Sequence, residues 1–428
     1  MAHREILRPQ DRPPLGYWIP LSFQHVFAMF GATILVPILT GLDPATALFT
    51  AGTGTLIYIV CTGAKVPAFL GSSFAFIPPL IGITASHGLS HALGGAIAAG
   101  LFYCVVGFVI RFAGTRWLDV ALPPVVIGSV IVVIGLCLAP VAMSMAMNNA
   151  DGDYSLTCLS IAAVTLGVTV AANIFLKGFF STIPILIGLV AGYLFALIMG
   201  CFFPAYAFID FQAVKDAPWF GLPKFQVPSF SLVPVLTFVI VSLATICEHL
   251  GDTLVTSKIV GQDFYKNPGL HRTLAGDGLA TSWAALWGGP PNTTYGENIG
   301  VMAITRVYSV WVIGGAAVIA VLLSFFRKFG ALIQTIPTPV LGGISMLLFG
   351  IIASSGLRTL VESGVDYKDK RNLTISSVIF VIGIGGGKLA FNITQDLRFE
   401  LAGVALATVV GIILNLVFPA SRGTVKAE

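Results

Sequence analysis

From residue 19 to residue 418 the chain is a succession of apolar stretches separated by short polar or Gly/Pro-rich joints, and this constrains the fold more than any other feature. A bilayer core about 30 Å thick takes about 20 helical residues. Stretches that read as membrane segments fall near 19–41, 44–63, 66–84, 91–112, 121–146, 157–175, 180–200, 231–257, 272–289, 296–304, 308–326, 332–356, 372–387 and 399–418. Only 10% of the 428 residues are charged, whereas a soluble domain carries roughly a quarter. The expected fold class is an all-α polytopic membrane protein of fourteen transmembrane segments, with the lipid bilayer as its solvent. The net charge of +4 calls for no nucleic acid. Cys61, Cys104, Cys137, Cys158, Cys201 and Cys247 lie in or beside apolar runs without CxxC spacing, which argues for packing rather than a disulfide framework or a metal site.

With the N-terminal side inside, the cytoplasmic joints collect most of the lysines and arginines, and only Lys215, Lys224, Arg327, Lys328, Lys388 and Arg398 fall outside. That bias predicts cytoplasmic termini and an even span count. The segment 1–18 holds Arg4, Arg8 and Arg12 but no apolar signal region or small-residue cleavage site, so the first span is expected to insert directly.

One stretch breaks the apolar pattern: Gly288-Gly289-Pro290-Pro291-Asn292-Thr293-Thr294-Tyr295-Gly296-Glu297-Asn298-Ile299-Gly300 puts a carboxylate and irregular backbone at membrane depth. Hydrocarbon tolerates neither unless they line a protein-enclosed cavity. Residues 69–79 carry similar Gly, Pro, hydroxyl and aromatic punctuation. Each break is expected to run as a short extended stretch into a half-helix whose free N–H groups suit carbonyl oxygens of a small planar ligand. Ordinary kinking is the bland alternative for these Gly and Pro residues.

The two breaks belong to a longer correspondence. Gln24-His25 recurs as Glu248-His249, Ala51-Gly52-Thr53-Gly54 as Ala275-Gly276-Asp277-Gly278, Gly71-Ser72-Ser73-Phe74 as Asn292-Thr293-Thr294-Tyr295, and Pro124-Val125 as Pro339-Val340. Four matches in one order predict a repeat, and an odd seven spans per half makes it inverted, with the site where the breaks meet.

Glu248 and Asp252 stand four residues apart on one helix face. Two like charges there cannot both ionise cheaply, which makes a proton-coupling device. Asp277 and Glu297 complete the set of acids, and Asp252 and Asp277 are expected to lie off the breaks without a basic partner. Asp252 beside Lys258 reads equally as a helix cap. His25 and His249 offer proton relays or, more blandly, interhelical hydrogen bonds. Phe74 and Tyr295 are placed to bracket a flat ring. Asn292-Thr293-Thr294 and Asn392-Ile393-Thr394 match a glycosylation pattern, discounted because the first lies in the membrane.

Glu297-Asn298-Ile299-Gly300-Val301-Met302-Ala303-Ile304-Thr305-Arg306 resembles the signature of the nucleobase/ascorbate transporter family, and Gln24-His25 and Glu248-His249 resemble its span 1 and span 8 motifs. Glutamate at the first signature position is similar to the uracil and proton branch of that family. The resemblance implies a core domain from 19–112 and 231–328 and a gate domain from 113–230 and 329–420, flanked by cytoplasmic segments 1–18 and 421–428. It also implies alternating access of core against gate, a homodimer, uracil or a close nucleobase as substrate, the proton as coupling ion, no further cofactor, and a bacterial inner membrane location. Glu248 and Glu297 would accept from the ring N–H groups, the amides of Phe74, Tyr295 and Gly296 would serve the carbonyls, and Phe349 would face the ligand from the gate. Asp252 and Asp277 depart from the uracil pattern toward purine members, which leaves the proton carrier open among Asp252, Asp277, Glu248, His25 and His249.

Uracil presents two donors and two acceptors around a flat ring, which two carboxylates, two sets of amides and two aromatics complement. A xanthine or other nucleobase symporter is the near alternative. An anion transporter or channel on the same fold would need half-helix dipoles without acids beside them. An intramembrane enzyme would need a nucleophile–base pair or HExxH spacing, neither of which the sequence offers.

Overall fold

A computed structural model of the chain describes residues 6–202, 209–392 and 398–419. The tail assigned to 421–428, Arg4, and most of the Asn392-Ile393-Thr394 pattern lie outside these residues. Helix α1 (Leu15–Thr40) ends at Gly41 with φ 73°, and α2 (Pro44–Cys61) begins at once because the Asp43 carboxylate accepts from the Thr46 N–H and Pro44 occupies the first turn. A left-handed glycine, a capping acid and an N-terminal proline thus set a tight helix reversal.

The chain next becomes extended. Strand β1 (Leu70–Ser72) passes through a 3₁₀ turn (Phe74–Phe76) into α3 (Ile77–His87), and α4 (Leu89–Ala113) follows. After α5 (Arg116–Ala121), the span expected at 121–146 is two helices, α6 (Pro124–Leu136) and α7 (Ala139–Met147). Pro140 can neither donate to nor pack beneath the carbonyl four residues back, which breaks the helix there. Helices α8 (Leu156–Phe175) and α9 (Pro184–Phe202) and the short α10 (Gln212–Asp216) complete the first half.

The second half opens with two helices, a strand, a short helix and a further helix: α11 (Leu232–Val260), α12 (Leu270–Leu286), strand β2 (Asn292–Thr294), α13 (Gly296–Thr305) and α14 (Val310–Ser324). Then come α15 (Arg327–Gln334), α16 (Thr338–Glu362), α17 (Lys370–Ile384), β3 (Lys388–Asn392), β4 (Arg398–Ala402) and α18 (Gly403–Val417). Two expected spans are corrected. Residues 332–334 belong to α15, because Pro337 disfavours helix at Ile336 and α16 starts afresh after it. Residues 399–402 pair with β3 as a hairpin, since Phe399 and Leu401 are buried while Glu400 and Ala402 are exposed, the period of a strand.

Among the described residues, eight helical stretches are long and apolar enough to cross a membrane, α6 and α7 together making one of them. By contrast α3 and α13, with 11 and 10 residues, reach only about half way at about 1.5 Å per residue. Two sets of packed helices are joined where α11 lies on α6 and α18 and α1 lies on α9. In the first, α4 lies on α11 and α12, α14 lies on α1 and α2, α3 touches α11, and α13 touches α1. In the second, α6 lies on α16, α17 and α18, while α16 lies on α6, α8 and α9.

Candidate functional site

Extended backbone at membrane depth must find partners within the protein. β1 and β2 find them in each other, antiparallel, with Leu70 opposite Thr294, Gly71 opposite Thr293 and Ser72 opposite Asn292. The ladder is prolonged by Tyr295 N–H to the Phe69 carbonyl at 3.0 Å and Ser73 N–H to the Pro291 carbonyl at 2.9 Å. Hydroxyls from the flanking helices serve the outer edges. Thr55 of α2 accepts from the Leu70 N–H at 2.9 Å and donates to the Leu70 carbonyl at 3.2 Å, and Thr281 of α12 donates to the Asn292 carbonyl at 2.8 Å. Gly71 is required for contact: a Cβ there would lie 2.5 Å from Cζ of Tyr295. The Tyr295 hydroxyl donates to the Ser72 carbonyl and accepts from Thr33, each at 3.2 Å, fixing that ring against β1.

Beside the crossing lies a cavity of about 290 Å³. Phe74, Tyr295, Gly296, Glu297, Glu248 and Asp252 all line it, so the structure brings together six of the residues singled out in the sequence. Thr293 donates to Glu248 Oε2 at 3.5 Å and Thr294 donates to Asp252 Oδ2 at 2.8 Å, which ties α11 to β2 through two adjacent hydroxyls. Glu248 and Asp252 are each 8% exposed and Glu297 is half-buried at the first turn of α13. Ser354, Ser355 and Arg358 of α16 line it from the other side. Three carboxylates crowd this space with acceptors, so it suits a neutral ligand carrying N–H donors and disfavours an anion.

Several expectations are corrected. Asp252 lies at β2 rather than off the breaks, and it caps no helix end: Lys258 pairs with Glu362 at 3.2 Å instead. The Tyr295 amide is spent on Phe69 and cannot serve a ligand carbonyl. Phe74 and Gly296 open helical segments, positions whose N–H groups have no partner within the helix. Phe349 is absent from the cavity wall and packs edge-on against Phe74, with ring centroids 5.6 Å apart.

Asp277 lies off the cavity and does have a basic partner. It meets His249 Nδ1 at 2.9 Å with both side chains fully buried, while His249 Nε2 contacts Thr273 at 3.1 Å. His25 is held by Asn298, whose side-chain amide lies 3.1 Å from its Nδ1 and 3.2 Å from its carbonyl. Both histidines are hydrogen-bonded core residues outside the cavity wall. On α16 the sequence pointed to Phe349, whereas the residues that line the cavity are Ser354, Ser355 and Arg358. The available signals for them were the paired Ser354-Ser355 inside an apolar run and the i,i+4 pair of Arg358 and Glu362, joined at 2.6 Å.

A helical membrane protein whose two discontinuous elements cross beside a polar cavity is built as a membrane transporter. The chain matches the Permease family profile over residues 16–390 and belongs to that family, which places it among transporters rather than enzymes. It is similar to "Uracil permease" of Bacillus caldolyticus, with 52% identity over 97% of this chain and 95% of the relative, and to "Uracil permease" of Escherichia coli (strain K12), with 48% identity over 97% and 94%. The solved transmembrane domain of the cyanobacterial bicarbonate transporter BicA shares its fold, with a TM-score of 0.64 at 16% identity over 96% of this chain and all of that one. So does murine Slc26a9, an anion transporter solved in the inward-facing state, with a TM-score of 0.68 at 10% identity over 95% of this chain and 68% of that one.

Proposed function

We propose that this permease imports uracil by proton symport across a bacterial plasma membrane. The observation that carries the reading is the convergence of Glu248 and Glu297 on one cavity at the crossed breaks. Each carboxylate supplies an acceptor for one ring N–H, and the amides opening at Phe74 and Gly296 supply donors for ring carbonyls. The named activity of the relatives, at about half identity over nearly the full chain, supports the same substrate. The shared fold with bicarbonate and other anion transporters carries no substrate with it, and three acids at the cavity speak against an anion.

Asp252 is the proposed proton carrier, because it stands beside the site with a hydroxyl partner and no cation on it. Segments 19–112 and 231–328 form the moving core and 113–230 with 329–420 the gate. The packing supports this division and the fourteen-span inverted repeat. Exchanging each element for its counterpart turns α4 on α12 into α14 on α2, α3 on α11 into α13 on α1, and α8 on α9 into α17 on α18, and all six contacts are present. Ile259 and Arg358 line the cavity on the side assigned as cytoplasmic. Competition for radiolabelled uracil uptake in proteoliposomes, with and without a pH gradient, tests the reading. Uptake that ignores the gradient sinks the coupling, and xanthine displacing uracil at equal concentration sinks the substrate.

A further inference from the structure

A second hollow, of about 460 Å³, lies between α1, α2 and α14 and shares no wall with the carboxylate cavity. Leu15, Ile19, Leu56, Ile59, Val318 and Ile319 make its sides. Leu15, Ile19 and Val318 are 67%, 52% and 47% exposed, so it opens sideways off the bundle rather than inward. Gly314 and Gly315 form part of its lining on α14. A Cβ on Gly315 would collide with Ser22 and Trp18, whereas one on Gly314 would meet only Ile59 Cδ1, at 3.6 Å.

Arg12 stands at the end of this groove. Its guanidinium lies 5.3 Å from the Trp18 ring centre and 5.1 Å from that of Trp311. The two indoles meet edge to face, and Trp18 Nε1–H donates to the Trp311 carbonyl at 2.6 Å. The backbone just before Arg12 is pinned as well, with Tyr308 N–H on the Leu7 carbonyl at 2.8 Å and Val310 N–H on the Pro9 carbonyl at 2.9 Å. The rings hold the cation in place, yet among the described residues it makes no ion pair. Exposed Arg8 and Arg306 add positive charge on the same joint. A fixed cation with unmet donors above an apolar slot, flanked by tryptophans, matches a charged headgroup joined to a hydrocarbon chain.

We propose that this groove binds an anionic phospholipid, one acyl chain lying over Gly314 and Gly315 and the headgroup phosphate on Arg12. The lipid would brace α1, α2 and α14 where they meet the membrane surface. Intrinsic tryptophan fluorescence of the purified full-length protein in detergent reads the site when phosphatidylglycerol with brominated chains is added, because bromine quenches indole on contact. Quenching should saturate, with a half-point about fivefold lower than for brominated phosphatidylcholine. Arg12→Gln, a change at an exposed side chain, should bring the two half-points together. Gly314→Leu, which fills the groove without a backbone collision, should remove the saturable component for both lipids while elution and melting stay native. Equal half-points in the unaltered protein, or a phosphatidylglycerol preference that survives Arg12→Gln, would overturn the site, and so would saturable quenching that survives Gly314→Leu. None of these outcomes depends on the identity of the transported solute.

Discussion

The two breaks share a backbone design and differ in chemistry. Each is three extended residues followed by a half-helix, and each has its outer edge served by a threonine hydroxyl from the preceding helix, Thr55 for β1 and Thr281 for β2. Yet the first break is uncharged, whereas the second opens α13 with Glu297 and faces Glu248 and Asp252. The same split runs through the helices beside them. Gln24 of α1 donates to Thr182 at 2.7 Å, while its counterpart Glu248 turns to the cavity. The segment around the first break therefore keeps neutral packing partners where the segment around the second presents acids. The shared backbone supplies the geometry, and the differing side chains supply the chemistry.

Substitutions in the acidic half should break this asymmetry most severely. Glu248→Ala is expected to abolish both uracil binding and uptake, and transport at native rates in intact cells would assign Glu248 a structural role. Asp252→Asn should keep uracil binding and exchange but lose accumulation. One proton crossing 100 mV supplies about 2.3 kcal/mol, or about fifty-fold concentration. Protonophore-sensitive accumulation by that variant would move the carrier to Glu248, Glu297 or the Asp277 and His249 pair. Glu297→Gln exchanges a charged acceptor for a neutral amide and should weaken uracil about tenfold or more by calorimetry, since such bonds are worth about 1.5–3 kcal/mol. Unchanged affinity would remove Glu297 from the site.

The smallest effects belong to the shared frame. Thr55→Val strips one partner each from the Leu70 N–H and carbonyl, and Thr281→Val strips one from the Asn292 carbonyl. Each should cost about 1 kcal/mol or somewhat more, with Thr55→Val the larger. Detergent melting curves would show this order, and equal losses would mean that relaxation re-satisfies Leu70.

Much of this was legible because membrane burial makes a few sequence rules strict. A carboxylate in Gly/Pro-broken apolar sequence has few places to go, so Glu297, Tyr295 and Phe74 could be placed at one cavity without coordinates. The i,i+4 spacing likewise put Glu248 and Asp252 on one face. What escaped depended on pairing across the chain. Nothing local to Asp277 announces His249, 28 residues away, and nothing local to Tyr295 announces that Phe69 takes its amide. The hairpin of β3 and β4 was hidden for another reason: Phe399 and Leu401 continue into the apolar run of α18, and average hydropathy cannot separate a period of two from one of 3.6 over five residues.

The antiparallel pairing of β1 with β2 also has a mechanical consequence. Their main chains are cross-linked by hydrogen bonds that run across the pair, and Tyr295 bolts its ring to the opposite strand. Sliding one half-helix past the other would shear that ladder in a medium with no water to replace it. Under the proposed alternating access the two would travel as one cartridge, with compliance where fewer bonds cross. One such seam lies between α11 and α16, where Lys258 reaches Glu362 at 3.2 Å.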